Sequence, residues 1–90
     1  MGERTTYRNS QLHKAFCEVL IEARQRAKMT QYDVSAAIER PPDFSNKVEH
    51  GTRLLNAMEL VVYCRAIKTT ASKVCAEVEG RVIMKRVPLR

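Results

Sequence analysis

The sequence predicts an all-α fold, a compact bundle of five short helices with a helix-turn-helix at its centre. Apolar residues recur at intervals of three and four along most of the chain, which is the spacing of one helix face. Residues suited to capping a helix precede these periodic stretches. Residues 30–51 contain two such stretches separated by two prolines, as expected of two short helices joined by a tight turn. Ninety residues make one domain, large enough to form a core without metal or disulfide staples.

Charge and composition restrict the classes of partner. The formal net charge of +6 suits a polyanion, but residues 80–90 hold four basic residues and no acidic one, so residues 1–79 carry only +2. No run of eighteen apolar residues predicts a membrane span, and the polar start of the chain lacks the apolar core of a secretory signal. Three widely spaced cysteines predict free thiols in a reducing compartment, and hence a cytoplasmic protein.

The first predicted helix is capped by Asn9 or Ser10 and runs to about Lys28. Residues 1–9 form a polar arm that is either a frayed terminus or a contact to a phosphate backbone. Apolar residues repeat along one face of the helix and predict its buried stripe. They are Leu12, Phe16, Val19 or Leu20, Ala23 and Ala27.

The next two predicted helices make up the central motif. Thr30 caps a helix that runs to about Glu39, with Val34, Ala37 and Ile38 on its apolar side. Prolines at 41 and 42 end that helix and suit the first turn of another, which runs to about residue 50. Phe44 and Val48, four residues apart, share the face that packs back onto the first helix of the motif.

Two further helices and a basic tail complete the predicted chain. Asn56 caps a helix that runs to about Lys68, and Thr70 caps one that Gly80 ends. The predicted apolar contacts of these helices are Met58, Val61, Val62, Cys64 and Ile67, then Val74, Cys75 and Val78. The tail of residues 80–90 is a short strand paired with a second chain, a disordered tail or a sixth helix. We therefore divide the chain into residues 1–9, 10–79 and 80–90.

Residues 30–55 resemble the helix-turn-helix domain of Xre/Cro type, a fold of the lambda-repressor-like class, with similarity over roughly residues 12–78. Its central pattern is TQ..(L/V)A..(L/I).RP..F..K.E.G.R.L. The matching residues are Thr30, Gln31, Val34, Ala37 nearby, Ile38, Arg40, Pro41, Phe44, Lys47, Glu49, Gly51, Arg53 and Leu55. Leu20, Arg24, Ala27 and Met29 match upstream, and Glu59, Leu60, Ala66 and Ile67 match downstream.

The resemblance implies double-stranded DNA as the partner, because the second helix of this motif enters the major groove while the first bridges the backbone. Gln31 falls where the family contacts a phosphate, and Arg53 is placed for another backbone contact. Asn46 can bind adenine with two hydrogen bonds, and Lys47 can reach guanine acceptors or a phosphate. The implied contact residues are Gln31, Pro42, Asp43, Asn46, Lys47 and Arg53. Arg24 and Glu49 match a structural ion pair instead.

Three residues depart from the family pattern. Glu39 stands where the turn usually has glycine, although a side chain disfavours the left-handed backbone. Ser45 replaces an apolar residue, so Phe44 must contribute more of the packing. Pro42 replaces a common glutamine, and Asp43 brings negative charge towards DNA.

Enzyme and metal chemistry receive little support from the sequence. His13 and Cys17 share a helix face, but no third and fourth ligand follows at zinc-like spacing, and we expect no cofactor. The predicted function is a homodimeric, sequence-specific DNA-binding transcriptional regulator on a palindromic operator. A mobile-element repressor, a restriction-modification controller and an antitoxin remain open within that class. The alternative is a protein-interaction module, for example one that binds a toxin.

Overall fold

Five α-helices make up the part of the chain described by the computed structural model, which covers residues 10–85, with side chains through residue 82. The helices are α1 (Gln11–Arg26), α2 (Gln31–Ala37), α3 (Phe44–Glu49), α4 (Ala57–Ala66) and α5 (Ala71–Lys85). The predicted all-α architecture is therefore confirmed. The N-terminal arm and residues 86–90 lie outside the described residues, and so does any prediction about them.

Four helices begin where the capping residues predict, whereas α3 begins at Phe44 rather than at the predicted Pro42, which lies in a turn. Ser10 rather than Asn9 caps α1, since its Oγ accepts a hydrogen bond from His13 N at 3.1 Å. Thr30 and Asp33 form a reciprocal capping box at α2, and Asn56 and Glu59 form another at α4. Thr70 Oγ1 accepts from Lys73 N at the start of α5. Because a cap requires one polar residue at one position, local sequence is enough to predict it.

The ends of α1, α2 and α4 come about two residues before the predicted ends. Each closes on a Schellman motif, in which two amides beyond the helix bond back to carbonyls of its last turn. Each motif contains one residue with a left-handed backbone: Lys28 after α1 with φ of 60°, Glu39 after α2 with φ of 58°, and Lys68 after α4 with φ of 63°. Since none of the three is glycine, the sequence carries no stop signal there, and the prediction counted the capping residues as helical.

The prediction that Gly80 ends the fifth helix is wrong, because α5 continues through it to Lys85. Of the three alternatives for the tail, a strand and a disordered segment are also wrong for residues 82–85, which are helical. Packing explains the difference. Val74, Val78 and Val82 are four residues apart and all buried, and Arg81 forms ion pairs with Glu22 and Glu18 of α1. Together these contacts outweigh the cost of about 1 kcal/mol for a glycine inside a helix.

All five helices contribute to the core: α5 packs against α1 and α4, α3 packs against α1 and α2, and α2 contacts α4. Leu20, Val34, Val48 and Tyr63 are almost completely buried within it. Five of the predicted apolar contacts are wrong, because the side chains concerned are exposed: Ala37 of α2, Met58, Val61 and Val62 of α4, and Cys75 of α5. Within the described residues, no helix has both the length and the apolarity to cross a bilayer.

Candidate nucleic-acid interface

The turn between α2 and α3 sets the relative position of the two helices. Glu39 adopts the left-handed backbone that glycine would adopt more easily, and its amide donates to Ala36 O at 3.0 Å. The next amide, that of Arg40, donates to Ser35 O at 2.9 Å. Phe44 N then donates to Pro41 O at 3.0 Å and begins α3. The helix-turn-helix geometry therefore forms in spite of the glutamate.

A buried polar cluster joins α2, α3 and α4 beneath this turn. Ser45 N donates to Ser35 Oγ at 3.0 Å, and the hydroxyls of Ser45 and Tyr63 are 2.7 Å apart in a hydrogen bond. All three residues are fully buried. Burial raises the pKa of Tyr63 to about 12, although the Ser45 hydrogen bond favours the phenolate. Ser45 is thus buried as a polar bridge between helices, in a place where the sequence suggested a loss of apolar packing.

A second network connects α1 to the exposed face of α3. Arg24 Nε donates to Glu49 Oε2 at 2.6 Å and Nη1 to Met29 O at 2.9 Å, which confirms the predicted ion pair. Gln31 Nε2 donates to the other oxygen of Glu49 at 2.8 Å. Asn46 Nδ2 in turn donates to Gln31 Oε1 at 3.3 Å. The network therefore orients the amide groups of Gln31 and Asn46 from within the bundle.

The exposed side of α3 and its preceding turn presents four of the six predicted contact residues: Pro42, Asp43, Asn46 and Lys47. Asp43 precedes α3 but makes no capping hydrogen bond with its side chain. Its Oδ2 lies 3.1 Å from Lys47 Nζ, in a pair of which both side chains are more than half exposed. Such exposed pairs contribute little stability, so Lys47 remains accessible to an anionic partner.

Arg53 lies on another side of α3, in a cluster with α4. Its guanidinium forms two hydrogen bonds to the Glu59 carboxylate, at 2.6 and 3.2 Å, and stacks 5.2 Å from the centre of the Phe44 ring. The Arg40 guanidinium contacts the same two groups: it lies 3.2 Å from the Glu59 carboxylate and 5.0 Å from the centre of the Phe44 ring. Hydrogen bonding by Arg53 holds the pKa of Glu59 below its usual range. Arg53 therefore connects the loop after α3 to α4.

One solved structure supports a family assignment for this arrangement. An XRE-family-like protein from Pseudomonas syringae pv. tomato str. DC3000 matches with a TM-score of 0.76 and 30% sequence identity. The match covers 90% of this chain and 98% of that chain. The chain belongs to the XRE family.

Two structures of the clp gene regulator ClgR from Corynebacterium glutamicum share the fold of this XRE-family protein. The first has a TM-score of 0.73 and 20% identity, over 83% of this chain and 80% of that chain. The second has a TM-score of 0.69 and 21% identity, over 78% and 91% of the two chains. No protein-family model and no curated protein matches the sequence.

The predicted contact residues of this XRE-family protein fall into three groups. Gln31 and Asn46 are hydrogen-bonded, Asp43 and Lys47 are ion-paired beside exposed Pro42, and Arg53 lies apart in the Glu59 cluster. Sequence reasoning missed the polar cluster below them and the part played by Arg40. The signals available were two serines at positions facing the core and a lone tyrosine within the apolar run of α4.

Metal binding has no candidate site in the described part of this XRE-family protein, where no three His, Cys, Asp or Glu side chains converge. His13 and Cys17, which share a helix face, both lie on α1, and the Cys17 thiol donates to Val48 O at 3.5 Å. Burial, followed by the charge of Glu49, raises the pKa of Cys17 above its usual value. Cys17 accordingly forms part of the contact between α1 and α3.

Proposed function

We propose that this XRE-family protein is a sequence-specific, double-stranded DNA-binding transcriptional regulator that acts as a homodimer on a palindromic operator. The observation that carries the proposal is the pair of amide side chains of Gln31 and Asn46, hydrogen-bonded to each other and held through Glu49 by Arg24. Polar side chains held in position at a helix-turn-helix surface suit recognition, because little side-chain entropy is lost on binding.

Each residue of the surface has a role in this proposal. Asn46 offers an amide that can bind adenine with Oδ1 accepting from N6 and one Nδ2 hydrogen donated to N7, while the other hydrogen still donates to Gln31. Lys47 reaches guanine acceptors or a phosphate. To do so it gives up only its ion pair with Asp43, which is exposed and contributes little stability. Gln31 contacts a phosphate through its amide, and Pro42 packs at the groove edge.

Asp43 and Arg53 act differently in the proposal. Asp43, once Lys47 has left it, accepts a hydrogen bond from a cytosine amino group, the base contact that suits a carboxylate. Arg53 approaches a phosphate with the N–H groups that Glu59 does not use, since a guanidinium has five. Two copies of α3 would then enter successive major grooves about 34 Å apart.

The regulator class fits the relatives as well as the surface. One of the proteins that share the fold is a regulator of clp genes by its description. Three free cysteines, two of them buried, suit the cytoplasmic location proposed here. We propose neither a cofactor nor a catalytic role for this surface. Mobile-element repressor, restriction-modification controller and antitoxin remain the subtypes within the proposal.

A protein-interaction module, such as one that binds a toxin, is the second candidate function. The observation that favours it is the exposed apolar surface of α4, where Met58 is 78% exposed and Val62 52%. Salt dependence separates the two functions. DNA binding through several phosphates weakens steeply with salt, with a slope of roughly −0.9 per phosphate in log–log form, whereas docking to an apolar face does not.

Selection from random duplex DNA at low and near-physiological salt tests the proposed function. We expect one palindromic motif to be enriched at both salt concentrations. The double change Asn46→Ala and Lys47→Ala should then lower the affinity for that motif at least 100-fold. The melting temperature of this double variant should stay close to that of the unchanged protein, because both side chains are exposed.

Gln25→Ala with Lys73→Ala is the matched control, since it removes an exposed amide and an exposed ammonium outside the candidate interface. This control should bind the selected motif as the unchanged protein does. Enrichment of no motif at either salt concentration would overturn the DNA-binding proposal in favour of the interaction module. A large drop in melting temperature for the Asn46 and Lys47 variant would assign these side chains to the fold instead.

A further inference from the structure

The solvent side of α4 is an apolar stripe formed by Met58, Val61 and Val62. These residues are spaced three and four apart, so they share one helix face. Met58 is 78% exposed, Val61 43% and Val62 52%, and Leu54 just before the helix is 46% exposed. Tyr32 is the other large apolar side chain with such exposure among the described residues. Apolar surface is therefore concentrated on one face of one helix, which is a mark of an interaction site.

The two valines of the stripe lie at the middle of its helix. α4 has ten residues, from Ala57 to Ala66, and its midpoint falls between Val61 and Val62. A two-fold axis through that midpoint, perpendicular to the helix, pairs each of these valines with the other valine of a second copy. The same axis places Met58 opposite Arg65 of the second copy, where the aliphatic part of the arginine can cover the methionine.

The charges of the stripe also suit a second copy. Arg65 is exposed and follows Met58 by seven residues, so it extends the same face. In the antiparallel arrangement the two copies of Arg65 lie about 10 Å apart along the helix axes, so no two like charges face each other. A surface that complements itself in this way favours an isologous pair over an unrelated partner.

We propose that the apolar stripe of α4 is the dimer interface, with a second copy of this chain packed antiparallel across a two-fold axis between Val61 and Val62. The inference rests on the proposed function in one respect, because a palindromic operator requires two copies related by such an axis. It assigns dimerisation to α4 and removes the need for a strand in the C-terminal tail.

Sedimentation equilibrium of the full chain without DNA tests the interface. The unchanged protein of 10.3 kDa should approach twice that mass as its concentration rises. Val61→Glu or Val62→Glu places two carboxylates beside each other at the axis, and each should raise the dissociation constant at least 100-fold. Tyr32→Glu is the control, because it changes an equally exposed apolar residue of α2 and should leave the dimer intact. Circular dichroism should show unchanged helix content in all three.

Two substitutions at Met58 test the antiparallel register. Met58→Glu sets a carboxylate opposite Arg65 of the second copy, so the dimer should be retained or strengthened. Met58→Lys sets two cations opposite each other, and the dimer should weaken at least tenfold. Equal effects of the two substitutions would overturn the antiparallel pairing, even if the valine variants dissociate.

Two other outcomes would overturn the interface itself: a monomeric unchanged protein at high concentration, or a dimer that survives both valine substitutions. Failure of the interface can be told apart from failure of the DNA-binding function. If the protein selects one DNA motif but stays monomeric without DNA, the proposed interface is contradicted and the proposed DNA recognition is supported. If the protein dimerises through α4 but selects no DNA motif, the proposed function is contradicted and the proposed interface is supported.

Discussion

Individual polar residues inside the bundle hold the candidate interface in place. Ser45 and Tyr63 share a hydrogen bond of 2.7 Å between groups that are completely buried, and the Ser35 hydroxyl accepts a hydrogen bond from the Ser45 amide. Glu49, 9% exposed, accepts from both Arg24 and Gln31. A buried polar group without a partner is costly, so each of these residues constrains the position of the others. The candidate interface therefore depends on buried residues that are not part of it.

Tyr63→Phe should make the protein less stable at neutral pH but less sensitive to alkali. Burial raises the pKa of Tyr63 to about 12 from 10.0, so the folded state retains a proton that the unfolded state loses above about pH 10. The stabilising contribution is complete below pH 10 and declines as pH rises towards 12, by about 1 kcal/mol at pH 11. The Tyr63→Phe variant has no phenol to titrate and should not show this decline. Its free energy of unfolding at neutral pH should be lower by about 1 kcal/mol, because the Ser45 hydroxyl loses its hydrogen-bond partner.

Urea unfolding of the Tyr63 variant at pH 8 and pH 11 measures both effects. Tyr32→Phe, at an exposed tyrosine, serves as the control and should keep the alkaline decline of the unchanged protein. An equal alkaline loss of stability with and without the Tyr63 hydroxyl would show that other groups cause it.

At the scale of helices, glycine does not mark the helix ends of this protein. α1, α2 and α4 end on left-handed Lys28, Glu39 and Lys68, while Gly80 lies within α5. Only α3 among the described helices ends on a left-handed glycine, Gly51, with φ of 82°. Each left-handed residue with a side chain costs about 1 kcal/mol or more, and the hydrogen bonds of its Schellman motif offset that cost. Helix length here is set by tertiary contacts and capping bonds together.

Gly80→Ala should raise the free energy of unfolding by about 1 kcal/mol. The glycine lies inside α5, and an added Cβ would meet no atom within 4 Å. Alanine also restricts the unfolded chain, which adds to its helical preference. Thermal or urea unfolding provides the measurement.

Gly51→Ala is the contrasting control for the Gly80 substitution. Its positive φ disfavours a side chain, and the new Cβ would lie 3.3 Å from His13 Cε1, so this variant should be destabilised. A destabilised Gly80→Ala variant would contradict the continuous helix and restore a break at residue 80.

At the scale of the whole molecule, α5 closes the bundle against α1. Val78 and Val82 are buried, and Arg81 pairs with two glutamates of α1, one of them at 3.5 Å. Hydrogen bonding to Glu22 raises the pKa of Arg81 further above its usual value, so its charge persists at any ordinary pH. The segment once assigned to a basic tail is therefore, as far as Lys85, part of the domain.

Truncation after Glu79 should lower the free energy of unfolding by about 2 kcal/mol, because it removes a buried valine and the Arg81 ion pairs. Truncation after Lys85 retains α5 and should leave stability nearly unchanged. Denaturant unfolding of both shortened chains checks this, together with their masses. Loss of the dimer without loss of stability in the shorter chain would restore a C-terminal strand as the dimer contact.

Much of the fold and part of the candidate site follow from short-range patterns in the sequence. Thr30, Asn56 and Thr70 cap their helices because capping needs only neighbouring residues. The Arg24–Glu49 pair was accessible through family resemblance, which reflects tertiary structure already known for relatives. The caps depend only on neighbouring residues, whatever the position of the rest of the chain. The ion pair could be predicted because the family to which the sequence is similar has a matching pair.

Tertiary packing decided the remainder. Residues 60–64 of α4 are consecutively apolar, so periodicity alone cannot choose the buried face, and packing against α2, α3 and α5 selects Tyr63 and Cys64 rather than Val61 and Val62. The hydrogen bond between Gln31 and Asn46 joins residues from two helices, and only their packing brings the amides together. α5 passes Gly80 because side chains 59 residues apart meet across the bundle. Each depends on contacts between distant segments, which have no signal in local sequence.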